Sequence, residues 1–249
     1  MILQHEKESK NFMTRNDGRQ PNQLRPVKIT PNFLSHATGS CLIEMGGTKV
    51  ICSAMVEESV PGFLKGSGKG WLTAEYSMLP GSSSQRVHRE RQKVCGRTHE
   101  IQRLIGRSLR TCIDLGQLGD RSILVDCDVV DADGGTRTAS ITGAYVAVIL
   151  AIKKIQLKAP SLVPLVKMGV AAVSVGMVKG VPYLDLNYEE DKDAEVDMNI
   201  VRTSSNRFIE VQGTAEGVPF EDEALQSLID LGKKGIQELL EIQKRVLEI

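Results

Sequence analysis

The chain has 249 residues, with 31 basic and 31 acidic side chains, 41% hydrophobic residues and 4% aromatics. That length holds one large domain or two small ones with a packed core, and the apolar share excludes wholesale disorder. A net charge of zero excludes a globally basic nucleic-acid binder, so any polyanion must be held by a local cluster.

In chain order, residues 1–12 are polar and charged, lack the apolar core of a signal peptide, and read as an N-terminal extension to a domain spanning residues 13–249. β-Branched stretches predict strands at Val27 to Leu34, Gly39 to Met45 and Thr48 to Val56, with Gly46-Gly47 as a hairpin turn. A Gly- and Lys-rich loop, Gly66 to Gly70, precedes a short strand, Trp71 to Met78, and a second loop, Pro80 to Gln85. From Thr98, residues Ile101, Leu104, Ile105, Leu109, Cys112 and Ile113 recur at helical spacing, with Arg103, Arg107 and Arg110 as a stripe along the helix. Ser122 to Val130 reads as a strand, Asp131 to Gly135 as a turn, and Thr136 to Ile155 as a helix. The apolar run inside that helix, Ala144 to Ile152, is about half of what a bilayer span needs, so no membrane role is expected.

Met168 to Val178, Lys179-Gly180 and Val181 to Leu186 predict a second hairpin. Strands follow at Val196 to Arg202 and Phe208 to Thr214, and a closing helix runs from about Glu221 to Val246. The fold class is α/β (α+β): one domain of two similar βα halves, with mixed sheets and packed helices. The five cysteines are widely spaced and include no CxxC pair, which fits a reducing cytoplasm rather than a disulfide framework. His88, Cys95 and His99 lack a fourth partner for structural zinc.

The zero total hides a separation of charge. Eight basic side chains between Arg86 and Arg110 face only Glu90 and Glu100, a local net of +6, and seven acids between Leu184 and Met198 face only Lys192, a local net of −6. Each run alone reads as a solvated face, or the two pair with each other. Two features point elsewhere. At Asp133-Gly134-Gly135-Thr136-Arg137-Thr138-Ala139-Ser140 a strand gives way to a helix; the glycines let N–H groups turn toward an anion, the helix start adds positive potential, and Arg137 can grip two oxygens. The same residues also suit a plain turn with a helix cap, and they match neither a nucleotide P-loop nor the Rossmann glycine spacing. The second feature is the series Asp185, Asp191, Asp197, whose spacing of six puts all three on one face of an extended chain. They read either as a loop and capping cluster or as carboxylates for Mg²⁺, which takes one or two and fills its octahedron with water and phosphate oxygens.

Arg15-Asn16-Asp17-Gly18-Arg19, Leu24-Arg25-Pro26-Val27, Gly70-Trp71-Leu72-Thr73-Ala74-Glu75-Tyr76, the run Gly96 to Arg107, Gly134-Gly135-Thr136-Arg137-Thr138, and Glu189-Glu190-Asp191 through Val196-Asp197-Met198-Asn199 resemble, in order, the motifs of the bacterial ribonuclease PH family. The resemblance runs from about Met13 to the C-terminus. It implies a phosphate-dependent 3′→5′ exoribonuclease, a tRNA nucleotidyltransferase that trims tRNA precursors and releases nucleoside diphosphates, with Mg²⁺ as cofactor and a homohexameric ring built as a trimer of dimers. It further implies that Arg97, Gly135, Thr136 and Arg137 bind phosphate, that Asp191 and Asp197 are catalytic and metal-associated, and that Arg86, Arg89 and Arg91 guide RNA. Where the family usually brings arginine directly after Met78-Leu79-Pro80, this chain has Gly81-Ser82-Ser83-Ser84. Two other readings compete: a catalytically silent ring subunit that binds RNA, which would have lost a site arginine or aspartate, and a metal-dependent hydrolase using water, which would have no use for the arginines.

Overall fold

The computed structural model describes residues 15–90, 94–158 and 165–248. The first half holds strands β1 (Val27–Pro31), β2 (Gly39–Met45), β3 (Thr48–Glu57), β4 (Trp71–Met78) and β5 (Ser122–Asp131), with helices α1 (Gly96–Cys112), α2 (Leu115–Leu118) and α3 (Thr136–Lys158). The second half holds β6 (Val170–Val178), β7 (Val181–Leu184), α4 (Tyr188–Lys192), β8 (Val196–Thr203), β9 (Phe208–Ala215) and α5 (Asp222–Leu247). The first sheet runs in the order β1-β2-β3-β5-β4 and is antiparallel except for the parallel β4–β5 pair; the second runs β7-β6-β8-β9, antiparallel throughout.

Both predicted hairpins form. Met45 pairs with Thr48 across Gly46-Gly47, and Gly46 takes a φ of +57°, a left-handed backbone that glycine adopts without a Cβ penalty. Helix α1 begins earlier than the apolar spacing indicates, because Gly96 and Arg97 bury nothing and leave no trace in the periodicity. The first strand stops at Pro31 rather than Leu34, since Asn32 turns to a φ of 54°. Helix α2 was invisible to periodicity; it is set by Asp114, whose carboxylate accepts from the backbone N–H of Gly116 at 3.0 Å and of Gln117 at 3.3 Å.

Helix α3 is the centre of the fold, packing on β2 and β3 on one side and on β6 on the other. It is long and apolar enough to cross a membrane by composition, but 83% of its apolar window is buried inside the protein. Contact with β2 is so close that a Cβ at Gly39 would stand 2.1 Å from the Ala147 carbonyl oxygen. Amphipathic α5 covers β6, β7 and β8 with Leu228, Ile236, Leu239 and Leu240. One continuous apolar core joins residues of both sheets, from Ile43 and Val125 to Val173 and Ile200. This sandwiching brings the end of β5, the start of α3 and the start of β8 to one edge of the molecule, where the glycine turn and the acidic segment meet.

Candidate active site

The glycine turn is built by its backbone. Gly134 and Gly135 have φ values of +73° and +64°, and a Cβ on Gly134 would stand 2.7 Å from the carbonyl oxygen of Leu186, so the turn is pressed against the segment that leads to the acidic cluster. Buried Thr48 pins it, donating to the Gly134 carbonyl at 2.6 Å while accepting from the Asp133 N–H at 2.9 Å. Thr136 then opens α3, whose first turn carries no acid. The Thr136 hydroxyl lies 2.9 Å from the Tyr76 hydroxyl, which also lies against Arg97. Burial raises the Tyr76 pKa, with Thr136 and the two arginines Arg97 and Arg137 pulling the other way.

Arg97 is the second residue of α1, so two helix N-termini present their positive ends here. Arg97 forms no ion pair among the described residues. Arg137 is tied at one nitrogen only: Nη1 donates to Gln212 Oε1 at 2.8 Å and to Glu100 Oε1 at 3.3 Å. Its Nε and Nη2 meet no acceptor among the described residues.

The acidic segment is held from beneath by a buried ion network that sequence reasoning missed. Arg15 donates to both carboxylate oxygens of Glu190, Nε at 2.6 Å to Oε1 and Nη2 to Oε2, and Glu190 closes a capping box with Asn187 at the start of α4. Arg25 forks onto Asp185 through Nε at 3.0 Å and Nη2 at 2.7 Å, and it also donates to the carbonyls of Asp133 and Gly134. Burial opposes the charge on Arg25, but attraction and hydrogen bonding to Asp185 outweigh it and raise its pKa. Asp185 therefore does not join Asp191 and Asp197 on a common face. It is fully buried at a φ of 55°, and Asp191 lies within helix α4, so the extended chain that a spacing of six presupposes does not exist. The signal that could have found this role was the set of arginines in the N-terminal motifs, which need buried anions.

Asp191 sits on α4 and keeps an open side, while Asp197 is half-buried on β8 between Gly176 and Thr214. Loss of hydration raises the pKa of Asp191 against the attraction of Arg137, Arg97 and Arg25. Burial, reinforced by repulsion from Asp191, pushes Asp197 up to about 6. Its Oδ1 is buried with no hydrogen-bond partner among the described residues. Such an orphaned carboxylate oxygen, beside a second carboxylate, fits a divalent cation that would take the place of a donor. No group of three or more His, Cys, Asp or Glu among the described residues could hold a metal, so any ion here would complete its shell with water and substrate oxygens.

Arg97, Gly135, Thr136, Arg137, Asp191 and Asp197 all line one cavity of about 220 Å³. Asn199, quoted in a motif but given no role, lines it too, as does Ser174, which was not singled out because an isolated polar residue in a strand carries no spacing signal. Ser83, from the loop where arginine is replaced, reaches its wall. Arg86 and Arg89 are exposed, and Arg89 lines a neighbouring cavity of about 490 Å³ that shares Met78 and Arg97 with the first; Arg91 lies outside the described residues. The arginine stripe on α1 is not a bare anion surface along its length. Arg107 pairs with Glu210 at 2.6 Å, and Arg110 covers the Trp71 ring and donates to the Leu72 carbonyl at 3.0 Å.

Paired helix N-termini with two unsated guanidinium groups, opposite two carboxylates, define a site for phosphoryl or nucleotidyl transfer. Residues 23–154 match the model of the 3′ exoribonuclease family, domain 1, and residues 170–235 match that of its domain 2. A ribonuclease PH from Crocosphaera subtropica is 55% identical over 233 residues, covering 94% of this chain and 97% of that protein. Among solved structures, rice (Oryza sativa) Rrp46 superposes with a TM-score of 0.78 at 20% identity, covering 94% of this chain and 100% of its own. A chain of the Archaeoglobus fulgidus exosome with RNA bound to the active site gives 0.76 at 22% identity, covering 92% of each.

The chain belongs to the 3′ exoribonuclease family. It is a phosphate-dependent 3′→5′ exoribonuclease of tRNA processing, a nucleotidyltransferase that passes the terminal nucleotide to phosphate.

Proposed function

We propose that the cavity between α3 and β8 carries out this phosphorolysis, with Arg97, Gly135, Thr136 and Arg137 as the phosphate site and Asp191 and Asp197 as the catalytic, metal-holding pair. What supports this reading is one observation, the convergence of all six residues on a single cavity. Inorganic phosphate is ionised near neutral pH, so it needs orientation more than a general base. Arg97 and Arg137 grip its non-attacking oxygens, and the N–H groups at the start of α3 add their positive potential. The oriented oxygen attacks the phosphorus of the last phosphodiester in line. The bond from that phosphorus to the 3′-oxygen breaks, a nucleoside diphosphate departs, and the proton that hydrogen phosphate gives up ends on the 3′-oxygen, so the shortened RNA keeps a 3′-hydroxyl. Mg²⁺ at Asp191 and Asp197 would supply positive charge to the oxygens where negative charge develops.

The same reading places Arg86, Arg89 and Arg91 along the approach of the RNA strand. Residues 13–249 act as one unit, six copies form a ring as a trimer of dimers, and the enzyme works in the cytoplasm on tRNA precursors. The decisive experiment compares products with and without added phosphate: nucleoside diphosphates formed only with phosphate carry the reading, whereas monophosphates formed without it identify a hydrolase and overturn it.

A further inference from the structure

Arg137, which lines the cavity, also belongs to a linkage that joins three elements. Gln212 on β9 accepts from Arg137 Nη1 at 2.8 Å through Oε1 and donates through Nε2 to Glu100 Oε1 on α1, also at 2.8 Å. Glu100 accepts from the same Nη1 at 3.3 Å, so the triangle closes. The amide orientation is fixed, since its oxygen must face the arginine and its nitrogen the carboxylate. One guanidinium nitrogen is thus consumed by two acceptors, while Nε and Nη2 keep none among the described residues. An arginine side chain has much rotamer freedom to lose when it grips an anion.

We propose that Glu100 and Gln212 are positioning residues for phosphate: by holding Nη1 they fix the Arg137 guanidinium before phosphate arrives and leave Nε and Nη2 as its bidentate fork. This rests on the assignment of Arg137 to the phosphate site. The effect falls on affinity for phosphate, because the fork contacts non-attacking oxygens in the ground state and the transition state alike. The competing possibility is that the triangle merely fastens α1 to β9. A second rung, Arg107 to Glu210 at 2.6 Å, makes that same fastening without touching Arg137, and so provides the control.

The test measures KM for phosphate, KM for RNA and kcat in the full-length enzyme. Glu100→Ala and Gln212→Ala are each expected to raise the phosphate KM about three- to tenfold, the scale of restoring rotamer freedom to one arginine, with kcat and the RNA KM within about twofold. Glu100→Gln, which keeps an acceptor oxygen, is expected to restore the phosphate KM, and Arg107→Ala to leave it unchanged. In the reverse reaction the KM for nucleoside diphosphate is expected to rise in parallel. An unchanged or lowered phosphate KM in both Ala variants overturns the proposal, as does an equal rise in Arg107→Ala. Arg137→Ala separates the two levels of the argument: if it too leaves the phosphate KM unaltered, the phosphate assignment itself is wrong, whereas a rise there alone removes only the positioning role.

Discussion

At the scale of single residues the cavity divides into a cationic half, Arg97 and Arg137, and an anionic half, Asp191 and Asp197, in which Asp197 Oδ1 is buried without a partner among the described residues. Arg137→Ala removes a charge-assisted fork worth about 1.5–3 kcal/mol, so the phosphate KM should rise at least about tenfold while RNA binding survives. A phosphate titration at fixed RNA checks this, and an unaltered dependence refutes the assignment. Asp197 runs the other way. With its pKa pushed up from 3.8 to about 6, the folded protein holds this proton more tightly than the unfolded chain does. The stability it contributes is therefore fully present below the unfolded pKa and lost as pH rises through about 6. Asp197→Asn should then stabilise the metal-free protein at neutral pH by about 1–3 kcal/mol while turnover collapses. Thermal melts with and without Mg²⁺ test both halves: the ion should stabilise the native protein and not the variant, and native activity at limiting Mg²⁺ should fall as pH drops through about 6. The six residues that converge on this cavity were legible as a set because they lie in contiguous motifs. Tyr76, Glu100 and Gln212 were not, because their roles exist only where β4, α1 and β9 meet.

At the scale of elements, strand and helix types followed the apolar pattern closely, and the departures have local causes. Periodicity reports burial, so it could not see Gly96 and Arg97 at the exposed start of α1 or the four residues of α2, which a single aspartate caps. Nor could it see that α4 breaks the chain between Asp185 and Asp191, since a five-residue helix with one buried residue has no period to detect. Arg25 ties the glycine turn to the segment that leads into α4, reaching Asp185 with its fork and the Asp133 and Gly134 carbonyls with its remaining donors. Removing one partner of a buried pair strands the other charge, so Arg25→Ala should destabilise the fold by about 3–5 kcal/mol. Arg25→Lys should recover little, because an ammonium cannot span a carboxylate and two carbonyls at once. Urea unfolding gives the first quantity. If Arg25→Ala unfolds at the native midpoint, the strut is dispensable and the two halves of the site are held by packing alone.

At the scale of the whole molecule, a chain of zero net charge has little long-range pull on RNA, so affinity must come from a local segment and from its repetition. The segment containing Arg86 and Arg89 is exposed beside the candidate active-site cavity, and most of the arginine stripe further along α1 is committed to Glu210 and Trp71. That leaves the loop arginines as the main source of phosphate contacts, and a ring of copies would present several such loops to one folded tRNA. Changing Arg86, Arg89 and Arg91 together to Ala should weaken RNA binding and make its salt dependence shallower by a slope of about 2, the share of three single-strand phosphate contacts. The competing account is structural: the same arginines could pair with acids on a neighbouring subunit and hold an assembly together. Sedimentation and salt titration of the triple variant decide between them, because the two accounts predict opposite pairs of results. An assembly of native size with a shallower slope carries the RNA role. Dissociated subunits assign the arginines to the interface, and a native assembly with a native slope removes the segment from RNA recognition altogether, leaving the Gly81 to Ser84 loop and the cavity around Arg97 to account for substrate binding.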